Sequence, residues 1–241
     1  MMNILILGYG KMGKIISEIA EDRGHHIAAK INIENVSDLE KLDASSIDVA
    51  IEFSQPEAAW ENIMWALQRK IPVVSGTTGW LERKVEVEAA CQALDGTFFY
   101  ASNYSVGVNI FFRVNKFLSK LMKDQNSYEI SLEEIHHTEK KDAPSGTAIT
   151  LAEGILENVK RLGGWELQSD AASKAGMLHI TSKRIDPAPG THIVKYESEI
   201  DDIEIRHTAH SRKGFAQGAV LVAEWIKDKK GIYSMDDFLS L

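Results

Sequence analysis

The chain has 241 residues, of which 44% are hydrophobic and 26% charged, the composition of a globular protein with room for two modest domains. A formal net charge of −8 disfavours general nucleic-acid binding, which wants a basic face, and no apolar run approaches the ~20 residues of a membrane span, so neither nucleic acid nor membrane is expected as a partner. The single cysteine, Cys91, rules out an internal disulfide and a cysteine-rich zinc site. It falls in a helical pattern with Val87 and Leu94, reads as a core or boundary residue, and fits a reducing, cytoplasmic setting.

An apolar strand (residues 4–7) opens the chain without a basic leader, so no signal peptide is expected. Gly8-Tyr9-Gly10-Lys11-Met12-Gly13 follows, then a helix whose apolar face carries Met12, Ile15, Ile16, Ile19 and Ala20. This is G-x-G-x-x-G between a strand and a helix, and each glycine has a task there. The first permits the tight turn, the second lets the backbone approach a pyrophosphate, and the third lets helix and strand pack closely.

Strands are predicted over residues 26–31, 47–53, 71–75 and 97–101. Between them, Ser54-Gln55-Pro56-Glu57 reads as a capping box opening a helix to about Arg69. A second helix runs to about Leu94. The alternation predicts a Rossmann-type parallel sheet with right-handed crossovers, an α/β domain that binds ligands beyond the carboxyl ends of its strands. Three loops fall there: residues 8–13, Gly76-Thr77-Thr78-Gly79 and Ser102-Asn103-Tyr104-Ser105. The second strand runs out at Asn32-Ile33-Glu34, with neither a clean acid nor an arginine at the ribose-selecting position. Asn32 is the candidate ribose contact, and the cofactor reads as NADH or NADPH.

Near Val106 the composition shifts. Residues 108–122 form an amphipathic helical pattern, and Tyr128, Ile130 and Leu132 alternate with polar neighbours as in a half-buried strand ending near His136. Ser145 stands at an N-cap position before Ile149, Leu151, Ala152, Ile155 and Leu156, predicting a helix from Thr147 to about Leu162. Residues 163–164 and 168–175 read as loop. Strands are expected over 178–185, 193–199 and 203–208, with Pro187-Ala188-Pro189-Gly190 as a turn. The economical assembly is a second, α+β domain with a mostly antiparallel or mixed sheet. An amphipathic helix over 215–230 is expected to pack back on the first domain, followed by a capped short helix over 234–241. The expected division is 1–105 with 215–241, and 106–214.

The stretch from His136 to Thr147 carries the chemistry. Two imidazoles and two amines gather within six positions, directly before a Pro-Ser-Gly-Thr turn that opens a helix. Cationic side chains and the free N–H groups of a helix N-terminus hold anionic oxygens. Imidazole and amine are also suited to proton transfer near neutral pH. The stretch therefore reads as a pocket for a small, doubly negative molecule that is protonated as it reacts. A solvated charged loop is the alternative, but the flanking strand and helix place the cluster as binding loops are placed. His207, His210, Arg212 and Lys213 form a second basic patch that either faces the ligand or is exposed strand-end charge. His136 and His137 are adjacent rather than spaced for a helical metal site, so no metal is expected.

These motifs identify a resemblance. With Gly8-x-Gly10-x-Met12-Gly13, Gly76–Gly79, Ser102–Asn109 and the pattern H-H-x-x-K-x-D-x-P-S-G-T-A over 136–148, the sequence resembles the dihydrodipicolinate reductase family along its whole length. The resemblance implies reduction of 4-hydroxy-tetrahydrodipicolinate to tetrahydrodipicolinate by hydride from NADH or NADPH, in the diaminopimelate route to lysine. It implies a homotetramer built through the second domain's sheets. His136 then occupies the proton donor/acceptor position and Lys140 the proton-donor position, with His137, Ser145, Gly146 and Thr147 as the substrate-binding set. Gly8, Tyr9, Gly10, Lys11, Met12, Gly13, Asn32, Gly76, Thr77, Thr78, Ser102, Asn103, Tyr104 and Ser105 form the implied cofactor set. Two rivals remain: a dehydrogenase of an amino acid such as aspartate or homoserine, and a redox-sensing protein that holds a dinucleotide without turnover.

Overall fold

Six parallel strands organise the first unit of the computed structural model, which describes residues 1–168 and 175–240. They are β1 (Asn3–Leu7), β2 (His26–Ile31), β3 (Val49–Glu52), β4 (Val73–Ser75), β5 (Thr97–Tyr100) and, from the end of the chain, β11 (Gly231–Tyr233). Their order is β11-β5-β4-β3-β1-β2. The chain leaves β1 for β2 on one side and reaches β3 on the other, so the order reverses at β1 and a crevice opens beyond the strand ends there.

Alternate side chains of one strand serve opposite cores. Ile4 and Ile6 pack with Ile16 of helix α1 (Lys11–Asp22) and with Ala219 and Val220 of α6 (Lys213–Ile226). Leu5 and Leu7 pack instead with Ile63 and Ala66 of α2 (Pro56–Gln68) and Val87 of α3 (Lys84–Ala93). Cys91 lies buried in this second core. Met1–Val106 and Lys213–Leu241 together make this unit, so α6, the penultimate helix, packs with the N-terminal part of the chain. A Cβ at Gly218 of α6 would fall 1.8 Å from the Tyr104 carbonyl oxygen, which requires glycine. Arg23 and His25 both reach Glu224 on the same helix, at 2.8 and 2.7 Å.

Two local expectations need correction. Ser54 does not cap α2: Gln55 is the N-cap residue, without a side-chain cap, and the Ser54 hydroxyl donates to Glu52 Oε1 instead. The carboxylate ending β3 outcompetes the helix for that hydroxyl. Strand β11 carries no alternation over its three residues, and it forms because β5 offers an open edge to pair with. The closing helix, α7 (Met235–Leu239), does have a capping box, between Ser234 and Asp237.

Gly107–Arg212 make the second unit. Its sheet has β6 (Glu129–His136), β7 (Trp165–Leu167), β8 (Leu178–Arg184), β9 (Gly190–Glu197) and β10 (Asp202–Ala209) in the order β10-β9-β6-β8-β7. It is mixed: β9 runs antiparallel to β6 and β10, whereas β6, β8 and β7 are mutually parallel. Ile130, Leu132, Ile180, Val194 and Tyr196 form its apolar face, against Phe111 of α4 (Val106–Met122) and Leu151 and Ile155 of α5 (Gly146–Leu156). Helix α5 ends before the expected Leu162, because a turn after Leu156 brings Val159 fully into this core. Most of the loop expected over 168–175 lies outside the described residues. No helix among the described residues is long and apolar enough to cross a membrane.

Candidate active site

The glycine loop between β1 and α1 separates into positions the fold requires and one it does not. Gly8 has φ +101°, and a Cβ there would fall 2.2 Å from the Phe53 carbonyl oxygen. A Cβ on Gly13 would fall 2.2 Å from the Gly8 carbonyl oxygen. Gly10 meets nothing within 4 Å and has an ordinary φ of −87°. Neither packing nor backbone strain explains glycine there. The open space there leaves room for a bulky anion to approach the α1 N-terminus. Beside it lies a cavity of about 640 Å³, lined among others by Gly8, Tyr9, Gly10, Asn32 and Ile33. The cradle and cavity fit a dinucleotide.

The other expected cofactor residues divide in the same way. Lys11 is exposed at the start of α1, while Met12 packs partly into the first core. Asn32, which lines the cavity, accepts from the backbone N–H of Glu34 at 2.8 Å through Oδ1. Gly76 lies against the tip of the Phe53 ring, which a Cβ would meet at 2.3 Å unless the ring moved. Thr77 is buried and donates to Glu52 Oε1 at 2.8 Å; Thr78 and Ser102 are exposed. Asn103 Oδ1 accepts from the Ser105 N–H at 2.9 Å. Tyr104 is buried between Phe53 and Phe99 and donates to the Ser75 carbonyl at 2.7 Å. Thr77 and Tyr104 therefore shape the loops from beneath, through side chains committed to the fold.

Glu52 was not anticipated. Fully buried, it accepts from Ser54, Ser75 and Thr77, and so ties together the ends of β3 and β4. An acid closing the apolar run Val49-Ala50-Ile51 was the signal for it in the sequence.

In the second unit the apolar sheet face turns polar at the carboxyl end of β6. Period-2 alternation puts Glu134 and His136 on the same face as Ile130 and Leu132. Glu134 is fully buried and accepts from the Ser145 N–H at 3.1 Å, the Ser182 hydroxyl at 2.7 Å and the Arg184 guanidinium at 3.3 Å. Its Oε2 stands 3.2 Å from His136 Nδ1, off the line of an N–H bond, and 3.7 Å from His192 Nε2. Burial alone would raise its pKa, but the facing His136 and His192 imidazoles and the hydrogen bonds from Ser145 and Ser182 together outweigh burial and hold the carboxyl well below the usual range. The His136 and His192 rings meet edge to face, 5.1 Å apart. Burial holds His192 below the ordinary histidine value, against the pull of Glu134.

Lys140 donates to both carboxylate oxygens of Asp142 at 2.8 Å, which lowers the Asp142 pKa. Arg184 fastens this loop from below, donating to the carbonyls of Lys140 at 3.2 Å and Asp142 at 2.6 Å. His137 is half-buried near Asp186, whose carboxylate accepts from the Thr138 N–H and hydroxyl. Ser145 caps α5 by accepting from the Ala148 N–H at 3.2 Å, and its hydroxyl lies 3.1 Å from His192 Nε2. That hydroxyl is buried and committed internally. Gly146 is exposed, and a Cβ there would touch nothing within 4 Å, so here too glycine answers to something other than packing. With Thr147 beside it, the α5 N-terminus offers free N–H groups and a hydroxyl to an anion.

His207 pairs with His192 across β9 and β10 and lies against Phe111, whereas His210 and Arg212 are exposed. Burial lowers the His207 pKa. Glu134, His136 and His192 bring ligand atoms within 4.8 Å of one another, as a metal site would. The carboxylate, however, already faces the Arg184 guanidinium, so the donor set fits a hydrogen-bonded cluster better than a cation. Glu134 and His192 were missed in the sequence. Glu134 lay in the period-2 pattern of its strand; His192 had no local signal.

Comparison with known proteins accounts for the whole chain. A family model for the N-terminus of dihydrodipicolinate reductase matches residues 2–104, and one for its C-terminus matches residues 107–239. A 4-hydroxy-tetrahydrodipicolinate reductase of Christiangramia forsetii is 50% identical over 241 residues, covering 99% of this chain and 98% of the relative. One from Methanosarcina acetivorans is 37% identical, with both chains fully covered. Among solved structures, a dipicolinate-bound dihydrodipicolinate reductase from Paenisporosarcina sp. TG-14 has the same fold, with a TM-score of 0.75 at 21% identity over 97% of this chain and 98% of that one.

Proposed function

The chain belongs to the dihydrodipicolinate reductase family, and from that premise we propose that it reduces 4-hydroxy-tetrahydrodipicolinate to tetrahydrodipicolinate in the diaminopimelate route to lysine. One nicotinamide cofactor and one proton are consumed, and the oxidised cofactor and one water are released. The observation that carries the reading is the junction of β6 and α5, where His136, His137 and Lys140 precede the exposed Gly146 and half-buried Thr147 at a helix N-terminus.

The bound cofactor supplies the hydride. The chain's own groups hold a substrate carboxylate at the Gly146 and Thr147 donors, with His137 as a further contact. Negative charge builds on the ring as hydride arrives, so the Lys140 ammonium, with the His136 imidazole beside it in sequence, favours the transition state over the ground state. His136 and Lys140 then deliver the proton that completes the reduction. Lys140 is held by Asp142 and exchanges that partner for the substrate. Gly8, Gly10 and Gly13 form the pyrophosphate cradle, with Asn32 at the ribose.

NADH is the preferred donor on this reading. Glu57 and Glu61 line the cavity beside the glycine loop, and no lysine or arginine is among its described lining residues, which disfavours an added 2′-phosphate. The homotetramer and cytoplasmic location rest on the family. Exposed Ile110, Val114, Phe117 and Leu121 on one stripe of α4 suit an oligomer. The deciding experiment follows NADH oxidation with the condensation product of pyruvate and aspartate semialdehyde, beside simple oxo acids. Turnover of the cyclic dicarboxylate alone supports the proposal. Turnover of oxo acids alone favours an amino-acid dehydrogenase, and binding without turnover favours a sensor.

A further inference from the structure

Glu134 is the least expected group in the second unit. Ile130 and Leu132, four and two residues earlier on the same strand face, are apolar and buried, and another apolar side chain at 134 would continue their core. A buried carboxylate instead carries a desolvation cost that only good partners offset. Its partners come from four segments. Cross-strand register sets Ser182, Glu134, His192 and His207 in one row across β8, β6, β9 and β10. The Ser145 N–H, from the turn opening α5, donates to both carboxylate oxygens, at 3.1 and 3.2 Å. His136 lies two residues along on the same face, its Nδ1 3.2 Å away. On its other side, a Cβ at Gly190 would fall 3.0 Å from His136 Nε2, so glycine leaves that nitrogen room.

We propose that Glu134 is a positioning residue: a buried anion that fixes the His136 and His192 imidazoles relative to the anion-binding turn at Ser145–Gly146–Thr147. The inference goes beyond the proposed reaction and rests on it only for the activity arm of its test. Acting through its neighbours, Glu134 sets where a proton is offered relative to where a carboxylate is held. A displacement of about 1 Å between such groups is enough to cost 10²-fold in rate.

Two variants separate its two connections. Glu134→Gln keeps a carbonyl oxygen for the Ser145 amide but removes the charge opposite the imidazoles. Glu134→Ala removes both. Leu132→Ala, on the same strand face, reports destabilisation of β6 alone. Activities are expressed per folded molecule, and dipicolinate, an unreactive dicarboxylate, serves as the binding probe. Expected for Glu134→Gln is a fall in kcat of at least tenfold, with dipicolinate Kd within threefold of the parent. Glu134→Ala should match that loss of kcat and also weaken dipicolinate at least tenfold. Imidazole 15N spectra should show altered tautomer populations at His136 and His192 in both. Leu132→Ala should lower Tm and leave kcat, Kd and spectra unchanged.

If both Glu134 variants behave like Leu132→Ala, with lost Tm and parental kcat, Kd and spectra, the proposal is overturned. If the parent protein itself reduces no cyclic dicarboxylate, the reductase reading fails. Dipicolinate binding and the imidazole spectra then still judge Glu134.

Discussion

Gly13 faces the carbonyl oxygen of Gly8 so closely that a single added methyl would stand 2.2 Å from it. Helix α1 can leave strand β1 at its observed angle only while residue 13 is glycine. Three positions earlier, Gly10 faces open space. One motif thus contains glycines of two kinds, and substitution should separate them. Gly13→Ala should lower Tm by several degrees or abolish soluble folding. Gly10→Ala should melt within about 2 °C of the parent, as surface changes do, yet lose NADH affinity at least tenfold by fluorescence titration. Parental NADH affinity in Gly10→Ala would remove the pyrophosphate from that position.

The residues proposed to handle the proton should act on rate rather than on cofactor binding. His136→Ala and Lys140→Ala are each expected to lower kcat by roughly 10²–10⁴, with NADH Kd unchanged within twofold. Initial rates at saturating substrate, paired with NADH titration, make the distinction. Equal loss of both quantities would place these residues in the cofactor site instead.

The proposed preference for NADH rests on the acidic residues Glu57 and Glu61 in the lining of the first unit's cavity. NADH should bind at least tenfold more tightly than NADPH in fluorescence titrations at low salt. Glu57→Gln with Glu61→Gln should narrow that gap by strengthening NADPH, as removal of two like charges near a phosphate does. A parent protein that favours NADPH would instead point to Lys11, exposed at the head of α1, as the phosphate contact.

Stability should depend on pH in two stages. His192 and His207 are held by burial below their ordinary value of 6.5. The unfolded chain therefore takes up protons that the folded one refuses, and stability falls as pH drops below 6.5 toward the folded values. Glu134 is shifted down from its ordinary 4.5, because its hydrogen-bond donors outweigh its burial. Its contribution is present above 4.5 and is lost as pH falls further, through the folded value. Melting scans from pH 8 to 4 should show Tm declining from about 6.5 and steepening below about 4.5. His192→Gln combined with His207→Gln should flatten the first stage. A parent Tm that stays level from 6.5 to 4.5 would contradict these burial effects.

Much of this was legible in the residues. Apolar runs gave the inner parallel strands β1, β3 and β4 nearly to their ends, because strands buried on both faces need unbroken apolar residues. Glycine spacing after β1 and the N-cap at Ser145 are local signals, set by backbone geometry within a few residues. Strand β11 and the true partner of Ser54 were not legible. Each depends on a group brought from elsewhere, the free edge of β5 in one case and the Glu52 carboxylate in the other.

The sequence by itself determined that a glycine loop would follow the first strand and that imidazoles and amines would gather beside a helix start, since both properties belong to contiguous residues. Tertiary structure alone decided that Glu134, Ser182, His192 and His207 stand in one row. That row spans four strands whose register is set by cross-strand hydrogen bonding and by the burial of one shared face, and no stretch of chain encodes such a register on its own.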